Sequence, residues 1–261
     1  PPPPPPPPPP PTQTTPTTTS GGPEVAVRVY LLRRERVAAA RRLVPQVRAV
    51  GSEAIRELLD SPTQAEREAG LTTAIPVGTE LRGLDISGGV ATVDLSRTFE
   101  SGGGSLSMTA RVAQVVYTLT QFPTVRAVRF SLDGEPVEHI GGEGVVVDPP
   151  VGRADFEDQT PTILVESPTP GETISSPVRI RGTANTFEAT FVVRLLLNAA
   201  GARAFEQVVT ATSGSGTRGT FDVSVPYTVS ASGPGTLVAF EPSAVDGSPV
   251  HVVEIPVYVT P

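Results

Sequence analysis

The stretch from Gly88 to Gly134 constrains the fold more than any other part of the chain, because it reads as strand, glycine loop, helix and strand in quick succession. Gly88-Gly89 marks a tight turn, and Val90, Val93 and Leu95 follow among short polar residues in an extended run ending near Ser96. Gly102-Gly103-Gly104 then breaks the chain. From Ser105 onward, Leu106, Ala110, Ala113 and Tyr117 recur at helical spacing, with Val112, Val116 and Leu119 widening the stripe. The pattern predicts a helix capped by Ser105 or Ser107 and barred from continuing by Pro123. Val125 to Leu132 is a second β-prone run, closed by the Asp133-Gly134 turn. A helix this apolar requires a sheet to cover it. The unit carries architecture and no recognisable chemistry.

With 261 residues the chain has room for more than one core. A formal charge of −7 argues against a dedicated nucleic-acid binder, which needs a concentrated basic footprint. Cysteine is absent, which removes disulfides, thiolate zinc sites and cysteine nucleophiles. All 20 basic residues are arginine. No apolar run approaches the roughly 18–20 residues that span a bilayer. The sequence opens on eleven prolines and contains no signal peptide; a mature exported protein would also open this way once its leader had been removed.

Residues 1–23 read as a stalk. Pro1 to Pro11 favour polyproline II at about 3.1 Å per residue, a stiff spacer of roughly 34 Å. A PxxP ligand for an SH3-like groove is the rival reading, but the arginines that usually orient such ligands are missing beside it. Residues 24–148 form the first folded region. Val25, Val27 and Val29 alternate with Ala26, Arg28 and Tyr30 in a strand, and a less regular extended segment lies within Val37 to Val50. Ala54, Ile55, Leu58 and Leu59 mark a short helix with Ser52 as its cap and Pro62 as its stop. Strands follow at Glu80–Ile86 and Gly89–Leu95, then the long helix and last strand. The order β-β-α-β-β-α-β predicts an α+β sandwich with two helices on one face of a mixed sheet. Residues 149–161 are expected to be a linker. From 162 to 261 the helical period vanishes, and seven β-prone runs recur between Gly/Pro/Ser/Asn clusters, the pattern of an all-β immunoglobulin-like sandwich.

Residues Val25 to Val137 resemble the GerMN domain of bacterial sporulation and spore-germination proteins. The resemblance rests on Gly70-Leu71-Thr72-Thr73-Ala74-Ile75-Pro76, Gly89 to Ser96, Gly103 to Met108, Gln114 to Pro123 and Phe130 to Gly134. Residues Ile163 to Val259 are similar to the immunoglobulin-like domain that accompanies GerMN, through Val165 to Gly171, Gly182 to Phe191 and Gly219 to Phe221. The resemblance implies a ring-building-motif-like fold that associates through surfaces, export from the cytoplasm and a membrane tether, often a lipid. It implies no catalytic residues, and the lipid-bearing cysteine is missing from this sequence.

The residues themselves offer little chemistry. Gly214-Ser215-Gly216-Thr217-Arg218-Gly219 fits G-x-G-x-x-G, but no helix follows to present its amino terminus to a phosphate, so a hairpin loop is expected. His139 and His251 stand apart without zinc-ligand spacing. Ser105 lacks the G-x-S-x-G context of a nucleophile. The pairs Glu53/Glu57 and Glu66/Glu68 read as solvated surface charge, and Asp155, Glu157 and Asp158 lack EF-hand spacing. No catalytic, cofactor or metal site is therefore expected.

One charge feature stands out. Arg33, Arg34, Arg36, Arg41 and Arg42, flanked by Arg28 and Arg48, crowd a short span. They read either as a row that blocks edge-to-edge strand pairing or as a basic patch for an anionic partner. Two functional expectations follow. The first is a non-enzymatic cell-envelope protein that docks envelope or sporulation proteins. The second is a module that binds cell-wall glycan or anionic polymer, with the arginines as the interaction candidates. A hydrolase of spore cortex or wall has no residues to stand on.

Overall fold

The computed structural model describes residues 23–142, 144–197 and 201–261. The expected stalk, apart from Pro23, and most of the expected Asn198–Gly201 turn lie outside these residues. Strands β1 (Glu24–Arg33) and β2 (Arg36–Pro45) form an antiparallel hairpin in register from Glu24↔Pro45 to Arg33↔Arg36. Its turn is Arg34-Glu35, both left-handed at φ 49° and 64°, the conformation that favours Asn-Gly.

Helix α1 (Val50–Leu59) buries Ala54, Ile55 and Leu58. It starts two residues before the expected cap: Ala49 is the N-cap, and Ser52 lies inside the helix. The short α2 (Gln64–Glu68) was not expected, although Thr63-x-x-Glu66 closes a reciprocal capping box.

Strands β3 (Leu81–Ser87) and β4 (Val90–Leu95) pair antiparallel across Gly88-Gly89, and β4 pairs parallel with β5 (Ala127–Leu132). Helix α3 (Ser105–Leu119) makes the crossover. Gly104 is its N-cap, so neither Ser105 nor Ser107 caps it. The expected apolar stripe is only part of its surface: from Ala110 to Leu119 every residue is buried, while Leu106 is 54% exposed. A helix enclosed on all sides needs more than one cover. Here the hairpin, α1, β5 and a 3-10 segment at Arg153–Gln159 all touch it.

The sheet arrangement differs from the expected single mixed sheet. β3, β4, β5 and β6 (Glu135–Pro136) form one sheet, and the β1–β2 hairpin stands apart from it. The physical reason is that side chains occupy the outer edge of β1. Gln121 accepts from Arg28 N–H (2.8 Å) and donates to Arg28 C=O (2.5 Å), reproducing a strand rung. Thr118 Oγ1 accepts from Tyr30 N–H (3.1 Å), and Gln114 Nε2 donates to Tyr30 C=O (3.0 Å). Leu32 exchanges two bonds of 2.8 Å with Thr72. Gln114 and Thr118 on α3, with Gln121 in the turn just after it, thus replace a neighbouring strand. One core still unites the domain, with Val29, Leu31, Ile55, Val93, Val115 and Phe130 all fully buried. The small strands β7 (His139–Ile140) and β8 (Val145–Val146) complete it.

The second domain is a sandwich. One sheet orders β14 (Gly219–Val225), β11 (Val178–Ala184) and β9 (Ile163–Ser167). The other orders β10 (Thr173–Ile174), β16 (Pro249–Val259), β15 (Gly233–Pro242), β12 (Thr190–Leu197) and β13 (Ala202–Thr210). All seven expected strands are present, joined by the short β10. Alternate residues of β11 and β12 point inward, as a period of two requires. In place of a disulfide and tryptophan, Phe191 and Phe221 meet edge-on at 4.9 Å among Ile163, Ile180, Leu195 and Leu237. The Gly214–Gly219 loop joins β13 to β14 and is glycine-bound for packing: a Cβ on Gly214 or Gly219 would lie 2.5 or 2.3 Å from backbone atoms.

Candidate functional site

The segment 149–161 is packed rather than extended between the domains. Val151 exchanges main-chain hydrogen bonds with Val128, Phe156 enters the first core, and Thr160 is buried. Its Arg153 lies against the rings of Tyr30 and Tyr117, with its guanidinium carbon 5.2 and 4.6 Å from their centres. Arg153 Nη1 donates to Glu166 Oε1 (2.8 Å) on β9, Nη2 to the Tyr30 hydroxyl (3.1 Å), and Nε to Thr120 Oγ1 (2.9 Å). The Tyr30 hydroxyl donates to the same Glu166 oxygen, and Arg28 Nε donates to Glu166 C=O (2.8 Å). Burial, reinforced by the Glu166 charge, pushes the Tyr30 hydroxyl far up and keeps it a donor. Burial pulls the Arg153 guanidinium down, but Tyr30 and Glu166 outweigh it and hold the charge. A second clamp sits on the far side of the segment. Arg218 grips Glu157 through two bonds of 2.8 and 2.9 Å, and Asn185 adds a third of 2.9 Å.

The five candidate arginines go to three places. Arg42 turns inward and joins Glu57 (2.9 Å) and Glu66 (2.7 Å), tying β2 to α1 and α2. Glu66 is 7% exposed, so it is no solvated surface charge. Burial raises its carboxyl, but hydrogen bonds from Arg42 and Thr63 outweigh that and hold it below the usual carboxylate range. Arg41 reaches toward Glu172 of the second domain at 3.6 Å. Arg33, Arg34 and Arg36, at the hairpin tip, line a cleft of about 1030 Å³ between the domains. Arg33 bridges it, donating to Glu254 C=O (2.6 Å) on β16 and Ala69 C=O (2.9 Å) after α2. Its Nε is buried with no partner among the described residues. Arg36 donates to the carbonyls of Asp158 (2.8 Å) and Thr160 (3.1 Å). Val37 to Ala39, Ile163 to Val165 and Val253 to Pro256 supply the cleft's mostly apolar floor, with Glu68 and Glu254 as its acids.

Of the other residues weighed from the sequence, Glu68 and His251 also line the cleft, and the rest lie apart from it. His139 lies on β7, whereas His251 Nδ1 pairs with Glu241 (2.9 Å) in the other domain. Glu53 pairs with Arg56. Asp155 accepts from Gly152 N–H (2.7 Å). Ser105 opens α3 beside a small glycine-lined hollow. The loop before it is held by Arg111, 4% exposed, which donates to the carbonyls of Ala74, Phe99, Ser101 and Gly102. Among the described residues no cluster of His, Asp and Glu could hold a metal ion. No described helix is long and apolar enough to cross a membrane. Arg153 and Arg111 escape a sequence reading because neither belongs to a spaced motif: Arg153 meets rings and a carboxylate brought together by the fold, and the partners of Arg111 are mainly backbone carbonyls, which any residue supplies.

The fold is therefore an α+β domain fused to an immunoglobulin-like sandwich. Residues 28–138 match the family of sporulation and spore germination, and residues 162–248 match the immunoglobulin-like domain of bacterial spore germination. The chain thus carries a GerMN domain followed by its immunoglobulin-like companion. Among solved structures it is similar to the first GerMN domain of the sporulation protein GerM from Bacillus subtilis. The two are 22% identical with a TM-score of 0.43, covering 50% of this chain and 98% of that one. The tandem GerMN domains of the same protein are 18% identical with a TM-score of 0.44, covering 78% of this chain and 61% of that one. No curated protein matches the chain.

Proposed function

We propose that this protein is a non-enzymatic docking component of the bacterial cell envelope, acting outside the cytoplasm in sporulation or spore germination. The observation that carries the reading is the cleft at the domain junction: both domains build its walls, and the Arg153 and Glu157 clamps fix them as one surface. Both matched families are sporulation or germination families, which supports the setting. A membrane tether ahead of the described residues would present this surface to envelope or sporulation proteins. In vivo crosslinking of the tagged full-length protein in its own host, with membrane and wall fractions kept apart, tests it. Specific recovery of an envelope or sporulation protein is the expected result, and a strictly solitary protein overturns it.

A second reading is favoured by one observation. Arg33, Arg34 and Arg36 line the cleft without forming an ion pair with any described carboxylate. Such a group suits an anionic wall polymer. It predicts that the purified protein pellets with isolated cell wall, and that Arg34→Glu with Arg36→Glu abolishes pelleting. Unchanged pelleting removes this reading.

A further inference from the structure

One strand edge of the second domain is bare. β13 ends the five-stranded sheet, and Glu206, Gln207, Val208 and Thr210 on it are all exposed, Val208 by 62%. The edge of β9, by contrast, packs against β2 of the first domain. One bond sets the phase of the β12–β13 ladder. Ala211 N–H donates to Ala189 C=O (2.8 Å), so Thr190↔Thr210, Val192↔Val208 and Arg194↔Glu206 are non-hydrogen-bonded pairs. Glu206, Val208 and Thr210 therefore turn their N–H and C=O groups away from β12. Among the described residues these main-chain groups have a single partner, Gln207 Nε2, which donates to Val208 C=O (2.9 Å).

Strand edges are commonly blunted by lysine, proline or a bulge. The bulge on β13 lies between Arg203 and Phe205, and the five residues from Glu206 to Thr210 include no lysine or proline. Their one charge, Glu206, is held by Arg194 (2.7 Å) and Arg203 (2.8 Å). Phe240, Val192 and Val208 are direct cross-strand neighbours. Phe191, Val193, Ala239 and Val209 beside them fill the core, so this apolar row crosses the opposite, outer face of the sheet and runs off its edge at Val208.

We infer that β13 pairs antiparallel with β13 of a second copy of this chain, about a two-fold axis at Val208. That axis sets Val208 opposite its own counterpart and Glu206 opposite Thr210. All three outward-facing residues of each strand then exchange N–H and C=O, and the row Phe240–Val192–Val208 continues in reverse through the second copy. An axis at Glu206 would instead set two carboxylates opposite each other. The pairing lies away from the domain junction and is independent of the docking reading.

Sedimentation equilibrium of the full chain should show the mass rising from one copy to two with concentration. Val208→Pro removes an outward N–H that the fold does not use, and Val208→Lys brings two ammonium groups together at the axis. Each should weaken association roughly ten-fold or more, with an unchanged thermal midpoint as the folding control. Single cysteines read the register, because the chain has none of its own. Paired Cα atoms at Val208 would lie about 5.5 Å apart, whereas Thr210 and its counterpart would be about 14 Å apart. A short bis-maleimide should therefore link Val208→Cys chains and leave Thr210→Cys chains unlinked. A single-copy mass up to about millimolar concentration, the weak limit for so small a contact, overturns the inference. So does association untouched by both Val208 substitutions, or equal linkage at the two cysteines.

Discussion

The two outer edges of the β1–β2 hairpin meet opposite fates. That of β1 is sealed rung by rung by Gln121, Thr118, Gln114 and Thr72. That of β2 pairs with no further strand among the described residues and instead packs against β9 of the second domain beside the cleft. Both edges have the same polar groups, so the difference lies in what the surrounding chain supplies. Buried edges must be satisfied, because an unpaired buried amide or carbonyl costs about 1–3 kcal/mol. An edge beside a cleft can be satisfied by water or a ligand. The contrast separates the edge that is closed within the first domain from the edge that meets the second.

Four perturbations sharpen that contrast. The largest effect is expected from Arg153→Ala, which strips Glu166 and the Tyr30 hydroxyl of their charge partner at the junction. Breaking such a pair typically costs 3–5 kcal/mol when fully buried; at 25% and 17% side-chain exposure about 3 kcal/mol is expected. Denaturant unfolding should show this loss and split one transition into two. Gln114→Leu comes next. It leaves Tyr30 C=O and Ala74 N–H unpaired on the sealed edge, and about 2 kcal/mol should disappear from the same measurement.

Acidification follows. The folded carboxyl of Glu66 is held below its ordinary 4.5, so its contribution is complete above pH 4.5 and is lost as pH falls through the lower folded value. A thermal midpoint that drops over this window, and drops less in Glu66→Gln, is the expected pattern. The smallest change is at the open end. Arg34→Asn with Glu35→Gly relieves two left-handed non-glycine residues and should add roughly 0.5–1 kcal/mol. A loss of stability there would mean that the tip arginines hold the fold.

Much of this architecture was legible in the sequence. Alternation in β11 and β12 and the spacing in α3 reflect burial, which is a local pattern, whereas β1 alternates only up to Val29 and is then buried on both faces through Leu32. The sealed edge was not legible, because Gln114 and Thr118 on α3 and Gln121 just after it look like ordinary polar interruptions until β1 is laid beside them. The capping box at Thr63-x-x-Glu66 is legible in the sequence, but the burial of Glu66 is not, because it depends on Arg42 arriving from β2. The arginine-rich span was visible as a cluster, but its partition was not. Strand alternation sends Arg42 to one face and Arg41 to the other, while Arg33 and Arg36 flank the turn; which side meets Glu66 or the second domain depends on tertiary packing.

The junction also has a mechanical meaning. Tyr30 and Glu166 are 136 residues apart in sequence but directly bonded, and Arg28 reaches the same residue. Tension entering the folded chain at Glu24 would run along β1 and cross to the sandwich through these few side chains, bypassing α1, α3 and the four-stranded sheet. The GerMN core would be shielded from a pull between a tether and a load on the second domain, and the hydrogen bonds of Glu166, together with the Arg218–Glu157 clamp and the Arg33 bond to Glu254, would set the force at which the two domains part.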